Sequence, residues 1–274
     1  MSEGGVVLTP RAPPGASIEA ECIAPDRFAA LGEREIAALP VWQGARMATL
    51  GDFFAVRGGR DARVRIDGDV PWAHGLGTAM GGGALRIEGS VGHAIGAGMT
   101  AGAIEVRGDA GDDAGVAMAG GVLRSEGSAG DRLGAARPGA SRGATGGEIV
   151  VLRSAGALVG AAARRVLIVV CGDVGMGAGR AMIAGSLVVL GSAGAGAGRW
   201  SKRGTLVVVG SVAIAPTYRH ACTYEPPHVR LTLTYLRSRH ALAIDDRYVR
   251  GRYHRYSGDM AELGRGEILQ WAAT

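Results

Sequence analysis

The sequence has few of the residues that form disulfide, metal–sulfur or membrane-spanning structures. Its three cysteines, Cys22, Cys171 and Cys222, form no CxxC pair, which argues against a disulfide framework or an iron–sulfur site. No apolar run is long enough to span a membrane, because such a helix needs about eighteen apolar residues or more. The opening MSEGGVVLTPRAPP has no basic stretch followed by an apolar one, so we expect a cytoplasmic protein without a signal peptide.

Lysine and large aromatic residues are also scarce. Lys202 is the only lysine among 30 basic residues, and the 274-residue chain has three phenylalanines and four tryptophans. Arginine favours bidentate contacts with carboxylate or phosphate groups. A core with so few aromatic side chains must be filled by aliphatic ones.

Glycine is abundant instead, and its 48 copies recur at a fixed period. Short apolar strands each end at a closing residue, and consecutive closing residues are 21, 19, 19, 26, 19, 19 and 19 positions apart: Gly68, Gly89, Gly108, Gly127, Arg153, Gly172, Gly191 and Gly210. A second glycine follows seven positions later in seven of these eight units: Gly75, Gly96, Gly115, Gly134, Gly160, Gly179 and Gly198. The chain therefore contains a repeat of about 19 residues.

The repeat excludes a nucleotide-binding interpretation of GSAGAGAGRWSKRG (191–204). A phosphate-binding glycine loop occurs once and opens a helix, whereas this motif recurs and leads to another strand each time. A strand–turn–strand unit of this length predicts an all-β fold, a single-stranded parallel β-helix of about eight coils. We assign residues 61–215 to the β-helix, residues 1–60 to a strand and helix cap, and residues 216–274 to a helix with an Arg- and Tyr-rich tail that packs on the β-helix or on partners.

Alternation along each strand predicts which side chains face inward. The outward positions are charged in the first four strands, as at Arg65 and Glu105, and apolar in the last four. Because large apolar patches are seldom left in water, we expect the C-terminal helix at 226–242, another subunit, or both to cover the second half. The predicted partner interface is Val150, Val169, Val188, Val207, Leu152 and Leu190.

No residues form a convincing active site. His220 and Cys222 lack an orienting third group, and with His228 they match no common zinc-ligand spacing. The acidic column of Asp67 and its equivalents in later strands is interrupted by arginine, which favours a charge-paired ladder. We predict no catalytic residue and no metal site. The Arg/Tyr-rich stretch at 247–256 is typical of a nucleic-acid-binding segment or of a protein interface, and the acidic residues around it favour the interface.

Several segments resemble the C subunit of formylmethanofuran dehydrogenase. They are IEAECIAPDRFAALGEREIAALPVWQG, LGDFF and RYVRGRYHRYSGDMAELGRGEIL, on either side of the glycine repeat. The repeat itself resembles the GxGxG β-helix at the C-terminus of the large glutamate synthase subunit. Within the family, the Arg- and Ala-rich composition is most similar to the C subunit of the formyltransferase/hydrolase complex of methylotrophs.

This resemblance implies a role in one-carbon metabolism. In that complex one subunit transfers formyl from tetrahydromethanopterin to a polyglutamylated furan cofactor (methanofuran), and a zinc-dependent amidohydrolase-like subunit releases formate. The resemblance implies that the C subunit is a non-catalytic scaffold in a hetero-oligomer and binds no cofactor alone. We expect no nucleic-acid or membrane partner.

Two other functions remain open: the C subunit of a redox formylmethanofuran dehydrogenase that reduces CO2, and a β-helix enzyme that acts alone. In the complex, the polyanionic cofactor tail or a partner would contact Arg250, Arg252, Arg255 and Tyr256.

Overall fold

The computed structural model describes residues 5–273, which form a mainly β structure with few helices. One long, largely parallel sheet has 13 strands, and a smaller sheet has four. None of the helices within residues 5–273 has the length and apolar character needed to cross a bilayer.

The segment before the repeats adds short elements to both sheets. These are β1 (Val6–Pro10), β2 (Ile18–Glu19), α1 (Pro25–Phe28), α2 (Glu33–Ala37), β3 (Pro40–Gln43), β4 (Arg46–Thr49), α3 (Leu50–Phe53) and β5 (Phe54–Arg57). Residues 24–42 do not form one continuous helix. Two short helices separate at Gly32, whose N–H donates to the Glu35 carboxylate at 2.7 Å, and β3 follows. Phe28 and Ile36 are both buried.

The repeats supply the parallel centre of the long sheet. Their strands are β6 (Arg63–Ile66), β8 (Ala84–Ile87), β9 (Ala103–Val106), β10 (Val122–Ser125), β11 (Glu148–Val151), β12 (Leu167–Val170), β13 (Ser186–Val189) and β14 (Arg203–Val208), with the short β7 (Ala73–His74) in the smaller sheet. Each repeat strand pairs with the same positions of the next, as Val150 does with Val169 and Val169 with Val188. A second set of single-residue parallel bridges runs from Val70 through Val91 to Val212. Consecutive repeats therefore contact each other at two places.

Polar side chains form a ladder along one turn of the repeat. The residue after the closing position is Asp or Ser, and in six of the eight units its side-chain oxygen accepts a hydrogen bond from a backbone N–H of the next repeat. Asp69, Ser90 and Asp109 do so at 2.7, 3.1 and 2.7 Å, and Asp173 does so at 2.7 Å. These bonds satisfy backbone donors that a tight turn leaves without a strand partner.

The first repeat has two extra residues. The glycine that follows its closing residue by seven positions, Gly75, is therefore not the structural equivalent of Gly96. Gly75 donates to the His93 carbonyl in the way that Ala94 donates to Asp112, so Gly75 is the equivalent of Ala94. Gly77, not Gly75, is therefore the equivalent of Gly96. The step of 21 residues is accommodated around Pro71 and Trp72, and the Trp72 ring packs 5.4 Å from Phe54.

The predicted inward columns are confirmed as the centre of the core. Val64, Ile66 and their equivalents through Leu206 and Val208 are all buried, including Ser125, whose hydroxyl donates to the Gly108 carbonyl at 2.9 Å. At about 2 kcal/mol for each buried aliphatic side chain, these columns are the main stabilising contribution. The seven extra residues of the fourth step lie in a loop whose residues 137–142 are exposed.

The segment after the repeats closes the other end of the long sheet. It contains β15 (Arg219–Tyr224), α4 (Pro227–His240), α5 (Asp246–Val249), β16 (Tyr253–Gly258) and β17 (Arg265–Trp271). Strand β17 pairs in parallel with β14 and continues the stack. Strands β16 and β15 then add in antiparallel orientation, so the parallel stack does not end in a free edge on this side.

Another column of glycines lies immediately before the strands, and it allows a prediction about the free energy of unfolding. Gly147 has φ +83°, and an added Cβ would lie 2.6 Å from the backbone oxygen of Gly121. Gly139 has φ +78° with no atom within 4 Å of such a Cβ. Both changes to alanine cost the left-handed penalty of about 1–2 kcal/mol, but only Gly147→Ala also forces neighbouring repeats apart. We expect Gly147→Ala to lower the free energy of unfolding by at least about 1 kcal/mol more than Gly139→Ala, as measured by denaturant titration. Equal losses would contradict close stacking at this column.

Candidate interaction surfaces

The valine face (Val150, Val169, Val188 and Val207) lies beneath the chain's own C-terminal helix. In-register pairing stacks the four side chains in one column, and each is at most 3% exposed. They form one buried cluster with residues of α4, of the segment that follows it and of β17. The prediction that a partner contacts these four valines is therefore corrected. The chain itself supplies the cover, because α4 presents a matching apolar stripe.

Helix α4 begins as the sequence predicts, at Pro226–Pro227. Val229, Leu233 and Leu236 are buried on one side of it, and Leu242 is buried just beyond its end. The spacing of three and four residues places these side chains on one face of a helix. The opposite face is open, and Leu231 is 72% exposed.

A polar contact that sequence reasoning missed anchors the C-terminal end of α4. The carboxylate of Glu148, at the start of β11, lies 2.8 Å from Nε2 of His240 and accepts a hydrogen bond from the Tyr235 hydroxyl. Arg124 donates to the His240 carbonyl at 3.1 Å, which is one of the groups that a helix end leaves unpaired. In the sequence, this contact is indicated by a single acidic residue, Glu148, at the start of an otherwise apolar strand.

Leu152 and Leu190 have a different environment from the four valines. They are half-buried and line an open cleft of about 460 Å³ between the sheet and residues 241–248. Cys171 and Tyr248 line the same cleft. A partner side chain has room to enter here, so these two leucines remain a predicted contact.

The four tail-contact candidates are not equivalent. Arg250 and Arg252 are exposed, and Arg252 donates to the Thr223 carbonyl at 3.0 Å. Arg255 forms an ion pair with Glu267 at 2.8 Å. Tyr256 is half-buried and packs against the core at the end of the stack, 5.5 Å from the His220 ring. Of the four, Arg250 and Arg252 are the ones that present charge to an anion.

The turn at 259–264 belongs to the segment that carries the most specific resemblance. Asp259 is buried, and its carboxylate accepts hydrogen bonds from the N–H groups of Ala261 and Trp200, at 2.9 and 2.8 Å. Burial opposes ionisation of this group, but the hydrogen bonds prevail and hold the pKa of Asp259 below its ordinary value. An ionised Asp259 therefore ties the turn to the last repeat.

The surroundings of His220, Cys22 and Cys171 favour structural roles for these side chains. His220 contacts the Thr223 hydroxyl at 3.3 Å, and that hydroxyl contacts Nδ1 of His254 at 2.8 Å, so Thr223 is the hydrogen-bond partner of His220. Burial raises the pKa of Cys22 to about 11 and raises the pKa of Cys171, which keeps both thiols protonated and poorly nucleophilic.

The histidines on the turns serve the backbone. Nδ1 of His74 accepts from the N–H of His93, and Nδ1 of His93 accepts from that of Asp112, both at 3.0 Å. Burial, followed by the neighbouring His93, lowers the pKa of His74. A neutral ring is the form that can accept this hydrogen bond.

The charged half of the outer face is a ladder of ion pairs. Arg65 contacts Asp67 at 2.7 Å, Arg86 contacts Glu88 at 2.5 Å, and Arg107 contacts Glu126. The acidic column is therefore neutralised rather than arranged as a catalytic cleft. Across residues 5–273, no three His, Cys, Asp or Glu side chains are grouped to hold a metal ion.

Comparison with known proteins identifies related chains. No protein-family model matches. The C subunit of a molybdenum-containing formylmethanofuran dehydrogenase from Methanosarcina barkeri is 38% identical over 92 residues, which are 32% of this chain and 31% of that protein. The C subunit of a tungsten-containing enzyme from Methanothermobacter thermautotrophicus is 36% identical over 96 residues, covering 33% of this chain and 35% of that protein. The chain thus matches about a third of the length of these curated relatives.

A solved structure matches from end to end. It is a chain in the crystal structure of the formyltransferase/hydrolase complex FhcABCD from Methylorubrum extorquens, in complex with methylofuran. The TM-score is 0.90 at 34% identity, over 97% of this chain and 100% of that chain. The chain belongs to the family of formylmethanofuran dehydrogenase C subunits. The segments whose sequence resembles this family lie in the N-terminal elements, in the repeats and in the strands that close the stack.

The cover on the valine face makes a testable prediction. Val188→Asp places a charge beneath α4 without a partner, which costs about 3 kcal/mol or more. Because an aspartate can reach water once the helix leaves, we expect α4 to undock while the repeats stay folded. Hydrogen exchange should accelerate in residues 227–240 and remain slow in β12 and β13. Leu231→Asp, on the exposed side of the same helix, is the matched control and should leave exchange unchanged. Slow exchange of α4 in Val188→Asp would contradict this packing.

Proposed function

We propose that this chain is the structural C subunit of a cytoplasmic formyltransferase/hydrolase complex. In this proposal the complex moves formyl from tetrahydromethanopterin to a polyglutamylated furan cofactor and releases formate, and the chemistry takes place in its other subunits. The observation that carries the proposal is the end-to-end match, at 34% identity, to a chain of a complex of this kind that holds methylofuran. The raised pKa of Cys22 and Cys171, the ion-paired acids and the backbone-bonded histidines support a non-catalytic role.

We also propose that residues 61–215 wind as a single-stranded parallel β-helix between the flanks 1–60 and 216–274. Two features support this winding. Every repeat pairs in parallel at a strand and again at a single-residue bridge, and the same 19-residue offset recurs in the turn hydrogen bonds. Such a solenoid gives a rigid rod, which suits a subunit that holds others at fixed positions.

A redox complex is the second candidate. The curated relatives are subunits of molybdenum- and tungsten-containing formylmethanofuran dehydrogenases. The matches to them cover only about a third of the chain, whereas the match to the formyltransferase/hydrolase structure covers 97%. The end-to-end match to a solved formyltransferase/hydrolase complex is the reason for placing the hydrolytic complex first.

Composition of the isolated complex tests the proposal. A tag on this chain should recover a hetero-oligomer of fixed mass in native mass spectrometry, containing a formyltransferase and an amidohydrolase-like subunit. The complex should release formate from the formylated pterin, and the isolated chain should show no turnover. A molybdenum or tungsten subunit in the same assembly would favour the redox alternative. Turnover by the chain alone would contradict a purely structural role.

We further propose that Arg250 and Arg252 contact the anionic glutamate tail of the cofactor or a partner. Both guanidinium groups are exposed without an ion pair among residues 5–273. Attraction of this kind reaches about 8 Å at physiological salt, so it helps only a tail that passes close to this surface.

The tail proposal predicts a selective effect on the apparent KM of the complex. Arg250→Ala/Arg252→Ala should raise the KM for the tailed cofactor several-fold, because it removes two charges that attract a polyanion. The KM for a tail-less analogue should not change. Arg230→Ala, an exposed arginine on α4, is the control. Equal changes for both substrates would instead indicate that these arginines serve the contact between subunits.

A further inference from the structure

One corner of the last repeats carries a dense group of positive charges, which we call the basic corner. Arg164 and Arg165 occupy the same positions of their repeat as Lys202 and Arg203 do two repeats later. Arg180 and Arg199 occupy another shared position a few residues earlier in neighbouring repeats. Because neighbouring parallel strands lie about 4.8 Å apart, these six cations are stacked over three adjacent coils.

Among residues 5–273 the cations of the basic corner form no direct ion pairs, although Arg199 is close enough to help lower the pKa of Asp259. None of the six has an ion-pair or side-chain hydrogen-bond partner within residues 5–273, whereas Arg65, Arg86, Arg107 and Arg132 elsewhere on the repeats are each paired. Arg164, Arg165, Lys202 and Arg203 line a shallow cleft together with Leu263, and the residues lining it include no acid. The fold holds these like charges close together, with Asp259 attracting Arg199. A negatively charged surface placed here would relieve that repulsion.

Large apolar side chains are exposed among these charges. Met176 is 64% exposed, Leu263 is 56% exposed, and Trp200 is 40% exposed. The Arg180 guanidinium lies 4.3 Å from the centre of the Trp200 ring. These three residues are among only eight large hydrophobic side chains that are exposed within residues 5–273. Tryptophan, methionine and arginine together are the composition that distinguishes the centres of protein interfaces.

The backbone of Trp200 indicates that this side chain is retained at some cost. Its φ is +62°, and the equivalent positions in other repeats, also with positive φ, are the small residues Gly98, Ala117, Ala162 and Ala181. A bulky residue in this conformation costs roughly 1 kcal/mol. The buried Asp259 carboxylate compensates by accepting the Trp200 N–H. The same aspartate anchors the turn that carries Leu263, so both apolar residues are fixed relative to the cations.

We propose that the basic corner, with Trp200, Met176 and Leu263, is the docking surface for an acidic face of another protein subunit. This inference rests on the proposed function, in which the chain holds other subunits. It also places the partner contact away from the valine face, which α4 occupies. A protein fits better than a nucleic acid, because exposed methionine and leucine offer nothing to a phosphate backbone, whereas the central Trp–Arg pair matches a protein interface.

The single lysine of the chain permits a site-specific test. A carbodiimide joins a lysine amine directly to a carboxylate in contact with it, and Lys202 is the only side-chain amine that this chain offers. Treatment of the intact complex should therefore give a cross-linked peptide that contains Lys202 and an Asp or Glu of another subunit. Lys202→Arg keeps the charge, so it should abolish the cross-link and leave the complex assembled.

Charge reversal tests the energetic contribution of the surface. We expect Arg180→Glu/Arg203→Glu to lower recovery of the partner subunit at least about tenfold at about 150 mM salt, because like charges across an interface oppose association strongly. Arg34→Glu/Arg46→Glu, two exposed arginines before the repeats, is the matched control and should recover the partner normally. An unchanged thermal unfolding midpoint of each free variant would show that the fold is intact.

The possible outcomes distinguish an error in the docking surface from an error in the proposed function. If the wild-type complex has the expected subunits but the charge-reversed variant keeps them and Lys202 gives no cross-link, the docking surface is wrong and the proposed function stands. If the wild-type chain recovers no subunit of a formyl-transferring complex, the proposed function fails and this inference fails with it. Co-purifying nucleic acid that is lost with the charge reversal would overturn the assignment to a protein partner.

Discussion

In-register parallel stacking of the repeats is the constraint on which the rest of the structure depends. Because Val150 pairs with Val169 and Val169 with Val188, one side-chain position becomes a column that runs along the whole stack. Most positions in the inner columns and at the corners therefore repeat the same kind of residue. Aliphatic side chains fill the interior, glycines occupy the left-handed corners, and Asp and Ser oxygens satisfy the turn N–H groups. One unsuitable residue in a column disturbs the repeats on both sides of it.

The same stacking explains why the outer face divides into two halves. Charged columns neutralise themselves through neighbours, as Arg107 and Glu126 do, and need no further cover. The apolar column beginning at Val150 cannot do this, and α4 returns along the sheet to bury it. The polar contact of Glu148 with His240 and Tyr235 fixes where the helix ends. The chain thereby uses its most apolar outer surface for its own folding. In the docking that we propose, a corner of the repeats contacts another subunit instead.

The end of the stack places several polar contacts in a short segment. Asp259 joins the last repeat to the turn before β17, while β16 and β15 close the sheet in antiparallel orientation. Arg255 forms an ion pair with Glu267 where the sheet closes, whereas Arg250 and Arg252 are exposed. Arginines that look alike in the sequence therefore differ in role, because strand pairing gives one of them a carboxylate neighbour and leaves the others exposed.

The sequence by itself determined the period, the inward columns, the division of the outer face and the apolar stripe of the C-terminal helix. These features depend on local spacing and on alternation along a strand, which are visible one repeat at a time. Only the tertiary structure decided that α4 covers Val150 to Val207 and that the first repeat is shifted around Pro71 and Trp72. It also decided that Leu263 lies in one cleft with Arg164. Such outcomes depend on which segments return to the stack and in what register, and residues far apart in the chain carry no local signal of their proximity.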